Sequence, residues 1–107
     1  MVQHMAGGFT LERPPSPREK EVLESPEVKK GLEFMSNVSF SEVEAISVKS
    51  QVVAGTNYSV KYKVKQENGF ETYVLAKVFE PLPYTNEPPE VTTAIYGVDA
   101  DSPLDLI

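Results

Sequence analysis

The sequence predicts an α+β fold, with one helix packed on a four- to five-stranded antiparallel sheet. Three observations carry this. Val28, Leu32 and Met35 form an apolar stripe at helical spacing in the first third of the chain. Four strand-like segments come after them, at residues 42 to 53, 58 to 65, 70 to 80 and 91 to 98. Those segments follow one another as a meander. A helix with one apolar stripe and a sheet with one apolar face bury each other.

The chain has 107 residues, which suits a single domain, 1–107, with its own core. Residues 1 to 15 read as a flexible N-terminal arm. Gly7-Gly8 gives a permissive backbone, and Phe9 and Leu11 suit a short edge strand, the optional fifth. Arg13-Pro14-Pro15-Ser16-Pro17 then breaks regular structure.

Two helix-start signals follow. Ser16, Pro17 and Glu19 make a capping box with proline at the first helical position. Ser25-Pro26-Glu27 repeats the cap and the proline. Proline inside a helix costs about 3 kcal/mol. The segment is therefore either a kinked helix or a short turn feeding a main helix from Pro26 to about Met35. Gly31 weakens that helix, and Ser36-Asn37 ends it. Glu19, Glu21, Glu24 and Glu27 read as a solvated helix face.

In the first strand the period-2 phase slips between Ala45 and Ile46, which a bulge accounts for. In the second, Tyr58, Val60, Tyr62 and Val64 alternate with Ser59, Lys61, Lys63 and Lys65, giving one buried face and one wet face. Asn68-Gly69 signals a hairpin. A two-residue loop would set Lys61 and Lys63 against Ala76 and Val74. A three-residue loop, Glu67-Asn68-Gly69, instead puts Tyr62 opposite Val74, Val60 opposite Ala76 and Tyr58 opposite Val78. All six then share a face, so a type I turn with Gly69 left-handed in a bulge is expected. Tyr73, Leu75 and Phe79 fall on the other face and need partial cover or stay exposed. Glu80-Pro81-Leu82-Pro83 ends the third strand. The tail, Asp99 to Ile107, is acidic, with Leu104, Leu106 and Ile107 able to anchor it.

Composition removes several function classes. With no cysteine, disulfides, thiolate metal sites and a cysteine nucleophile are excluded. The single histidine, His4, lies in the arm, and no glycine loop of phosphate-binding type occurs, so neither an enzyme nor a cofactor is expected. The net charge of −6 and the lack of a basic run argue against nucleic acid. No apolar run approaches a membrane span. Met1 to Gly8 does not read as a signal peptide, so a cytoplasmic protein is expected.

What remains is binding. Gln51-Val52-Val53-Ala54-Gly55 puts two bulky apolar residues at a strand-to-strand turn, where they face water unless something covers them. Leu82-Pro83 follows one strand reversal later, so both loops point the same way. The arm reaches that end if it runs along the sheet.

Gln51 to Gly55, followed by Thr56-Asn57-Tyr58, resembles the central motif of the cystatins, and most closely of the stefins. Gly7-Gly8 resembles the glycine of that family's N-terminal trunk. Leu82-Pro83, led into by Val78-Phe79, resembles its second hairpin loop. The resemblance implies a cystatin fold and a three-part wedge that fills the active-site cleft of papain-like, cathepsin-type cysteine proteases. Three departures stand out: the second Ser-Pro and Gly31 in the helix region, the longer hairpin at Asn68-Gly69, and the acidic end. The competing reading is a non-inhibitory binding or scaffold module of the same fold. A monomer is expected. Opening the Gln51–Gly55 loop would let two chains exchange the helix and its flanking strand as a domain-swapped dimer.

Overall fold

The computed structural model describes residues 8–107. Its helical region is two helices rather than one: α1, Pro17–Leu23, and α2, Pro26–Ser36. Each starts on its own Ser-Pro. The Ser16 hydroxyl accepts from the Glu19 amide, and the Glu19 carboxylate accepts from the Ser16 amide at 2.9 Å. Ser25 caps the Val28 amide in the same way. Pro26 has no N–H to continue the first helix, and the Ser25 amide takes the Val22 carbonyl instead. Asn37, left-handed at φ 56°, closes α2 by donating to the Glu33 carbonyl.

The sheet comprises β1, Phe40–Val53; β2, Gly55–Gln66; β3, Glu71–Glu80; and β4, Glu90–Val98. They lie in the order β1-β2-β3-β4, every pair antiparallel. The β1–β2 register shifts between Ala45 and Ser47, leaving Ile46 as the extra residue. The β2–β3 hairpin takes the three-residue form: Gln66 donates to the Phe70 carbonyl at 2.8 Å, and Gly69 has φ +90°. Tyr62 pairs with Val74, Val60 with Ala76 and Tyr58 with Val78.

The arm supplies no fifth strand among the described residues. It makes one isolated bridge, Arg13 to Val48, with backbone hydrogen bonds of 3.0 and 2.7 Å. Prolines at 14 and 15 stop that pairing from extending.

Leu23, Val28 and Leu32 from the helices pack on Val48, Val60, Tyr62, Val64, Val74 and Ala76, all fully buried. Met35 departs from the expected stripe and is 44% exposed. Helix placement explains this. A side chain at Gly31 would sit 2.7 Å from Val91 Cγ2, so the glycine lets α2 lie close on β4 at that point. Phe34 and Met35, one turn further on the same side, extend past the sheet and line an open groove beside Phe79, Pro81 and Pro88.

The opposite face of the sheet is covered in part by the tail. Leu104 is buried at the start of a 3₁₀ turn, Leu104–Leu106. Lys61 Nζ donates to the Ala100 carbonyl at 2.7 Å, and Lys49 pairs with Asp105 at 2.9 Å. Leu75, expected to need cover, is fully buried. Leu106 stays exposed and anchors nothing. No helix among the described residues is long and apolar enough to cross a membrane.

Candidate functional site

At the β1–β2 turn the strands run to Val53 and Gly55 with Ala54 alone between them. Val52 is 75% exposed and Val53 42%, and Ala54 is exposed as well. Gln51, half-buried, accepts from the Asn57 amide group at 3.0 Å, which ties the two strands just behind the tip. The valines thus do not fold back onto their own sheet. Gly55 has φ +128°, a conformation that side chains resist. A Cβ there would also lie 2.6 Å from the Glu80 carbonyl oxygen and 2.7 Å from the Phe79 ring.

That close approach brings the second loop beside the first. Glu80 ends β3, and Pro81-Leu82-Pro83 departs directly from it. A 3₁₀ turn, Pro83–Thr85, stiffens the loop. The Thr85 hydroxyl donates to the Leu82 carbonyl at 2.8 Å, and Asn86 closes the turn at φ 57°. Leu82 is half-buried and Pro83 exposed.

The arm approaches the same end. Thr10 donates to the Ser50 carbonyl at 2.8 Å, and its hydroxyl accepts from the Ser50 amide at 3.1 Å. With Arg13 on Val48, the arm runs antiparallel to β1, so Gly8 lies beyond Thr10 toward Val52. Gly8 is exposed. Gly7 lies outside the described residues.

The cystatin domain model matches residues 15–96. The chain belongs to the cystatin family. Among curated relatives, it is 43% identical over 95 residues to Cystatin-A1 of Sus scrofa, covering 89% of this chain and 84% of that protein. It is 42% identical over 84 residues to Leukocyte cysteine proteinase inhibitor 1 of Sus scrofa, covering 78% and 76%. It is 37% identical over 93 residues to human Cystatin-A, covering 87% of each.

In this cystatin, the loop end is braced by charge. Arg13 forks onto Glu19 at 2.7 and 2.9 Å and also donates to the Ser50 hydroxyl at 2.9 Å. The hydrogen bonds from Arg13 hold the Glu19 carboxyl below its ordinary 4.5 and raise the guanidinium's own pKa. Arg18 forks onto Glu80 at 3.4 and 2.7 Å, and the Tyr58 hydroxyl donates to the same carboxylate at 3.0 Å. Burial, then the Glu80 charge, pushes the Tyr58 hydroxyl up.

Two expectations change here. Glu19 and Glu24 are not a solvated face: Glu19 pairs with Arg13, and Glu24 accepts from the Ala45 amide at 2.8 Å. Glu21 and Glu27 are exposed, as expected. The second change is Tyr84, which sequence reasoning passed over. It is 80% exposed and carries the largest apolar surface of the second loop, more than half-buried Leu82. An aromatic directly after Pro83 and outside any strand pattern was the available signal. Among the described residues, no group of three or more His, Cys, Asp or Glu side chains is placed to hold a metal ion.

Proposed function

We propose that the protein is a reversible, tight-binding competitive inhibitor of papain-like cysteine proteases, cathepsin-type enzymes among them. The N-terminal trunk at Gly7-Gly8, the loop Gln51-Val52-Val53-Ala54-Gly55 and the loop Leu82-Pro83 enter the active-site cleft together. One observation carries the reading: Gly55 abuts Glu80, so an exposed valine pair and a proline-stiffened loop project from a shared base. A relative named as a cysteine proteinase inhibitor supports it. The proposed location is the cytoplasm, which a chain without cysteine suits.

The physics is that of a rigid apolar wedge. Burying one valine fully is worth about 2 kcal/mol. Loops already held by hydrogen bonds lose little entropy on docking. Blocking a cleft places no scissile bond in near-attack geometry, so the inhibitor survives. The working form is a monomer. A swapped dimer, in which two chains exchange α1, α2 and β1, would straighten the first loop and lose the wedge.

A papain assay tests this. Inhibition at micromolar protein, relieved by excess substrate, with the chain intact by mass is the expected result. Full papain activity, or rapid cleavage at Val53-Ala54, contradicts it. Gel filtration after partial heating should yield a dimer fraction without inhibitory activity.

A further inference from the structure

We infer that Arg18 is a positioning residue that locks the second loop to the N-terminal arm through the first turn of α1. This rests on the proposed inhibitory reading, because it assigns the spacing between parts of that wedge.

The residues form a continuous polar chain. The arm is tied to β1 at Thr10 and Arg13. Arg13 forks onto Glu19, whose carboxylate also accepts from the Ser16 amide in the capping box. The next residue back, Arg18, forks onto Glu80. Glu80 is the last residue of β3, and its own carbonyl oxygen lies where a Gly55 side chain would be. One turn of helix thus holds the arm with one residue and the base of both loops with its neighbour.

Geometry makes Arg18 the sensitive link. The Glu80 side chain is 17% exposed and its carboxylate accepts three hydrogen bonds, two from Arg18 and one from Tyr58. Tyr58 reaches it from β2 and also lies within hydrogen-bonding reach of Arg18, so the carboxylate, the hydroxyl and the guanidinium form one cluster. Among the described residues, Arg18 is the one that joins α1 to the end of β3 by side-chain hydrogen bonds. Its fork restrains the carboxylate in two directions, which a lysine ammonium cannot do. α1 has seven residues and one fully buried side chain, Leu23, so packing alone holds it weakly. The guanidinium is 62% exposed, so the pair adds little to global stability while still fixing a local distance.

The test is a double-mutant cycle with Arg18→Met and Glu80→Gln, read in two channels. In papain inhibition, Arg18→Met should raise the dissociation rate about fivefold or more and leave association nearly unchanged. The double variant should be no worse than either single, and Arg18→Lys should recover only part of the loss. In amide hydrogen exchange of the free protein, Leu82, Thr85 and Asn86 should exchange faster in Arg18→Met, while β2 amides stay protected. A purely structural ion pair would instead lower the melting temperature of all variants alike without changing loop exchange, and that result overturns the inference. Unchanged dissociation and unchanged exchange overturn it too. If the wild-type protein leaves papain active, the inhibitory reading falls, and loop exchange alone then decides the clamp. Should Arg18→Met not fold, Glu80→Gln against wild type gives the same contrast.

Discussion

The helix-facing side of the sheet and its loop end are held by different forces. On the helix side, Leu32, Tyr62, Val60 and Val74 are fully buried, and apolar packing fixes their places. At the loop end, Val52 and Tyr84 are 75% and 80% exposed, and packing cannot fix them. Their positions come from a glycine without room for a Cβ, prolines, a 3₁₀ turn and two arginine forks. Under the proposed function, the comparison teaches that stability and function are separable here. A surface meant to be buried by a partner must be rigid without being packed.

Substitutions on the two sides should therefore separate. Leu32→Ala empties a fully buried site and should cost about 2–5 kcal/mol in urea unfolding, with inhibition intact while the chain is folded. Val52→Asp should do the reverse: stability within about 0.5 kcal/mol, but inhibition weakened by roughly a hundredfold or more. Equal loss of both properties in either variant would break the distinction.

Gly55 belongs to both regions. Gly55→Val meets the Glu80 carbonyl and the Phe79 ring in a left-handed conformation. It should cost roughly 1–3 kcal/mol and also abolish tight inhibition, since both loops lose their shared base.

Smaller effects sharpen the picture. Tyr84→Ala should weaken inhibition by roughly tenfold with no measurable change in unfolding. Deleting residues 1 to 8 should raise the dissociation rate and leave association within about an order of magnitude, because in the proposed wedge the arm binds after the loops have docked. Equal dissociation rates would remove the arm from the wedge.

The smallest effect is a pH dependence. Glu19 has a depressed pKa through its hydrogen bonds from Arg13. Its stabilising contribution is present above the unfolded value of 4.5 and lost as pH falls through the folded pKa. Other carboxylates titrate there too, so the signal is a difference. Between neutral pH and acid, Glu19→Gln should lose less stability than wild type, by no more than about 1 kcal/mol.

Much of this was legible in the sequence because period-2 alternation and turn chemistry are local. Asn68-Gly69 and the Tyr58-to-Val64 alternation together determine the β2–β3 register residue by residue. Ala45-Ile46 marks its bulge in the same way. Long-range partners were not legible. Nothing near Arg18 points to Glu80, and the carboxylates of α1 look solvated until β1 is laid beside them. Met35 fits the stripe by spacing, yet it lies over an open groove beside Phe79 and Pro88, which only the three-dimensional placement of α2 reveals. The tail has no period at all, so its bond to Lys61 and its packing of Leu104 emerge only in three dimensions.

The central claim is that the loop end meets the protease while the helix side takes no part. Amide exchange of the protein, free and bound to papain with its catalytic cysteine blocked by a small reagent, tests that directly. Protection should rise at Gly8 to Thr10, at Val52 to Gly55 and at Leu82 to Asn86, with α2 and the tail unchanged. Protection confined to α2 or to the tail, with inhibition still observed, would contradict the account.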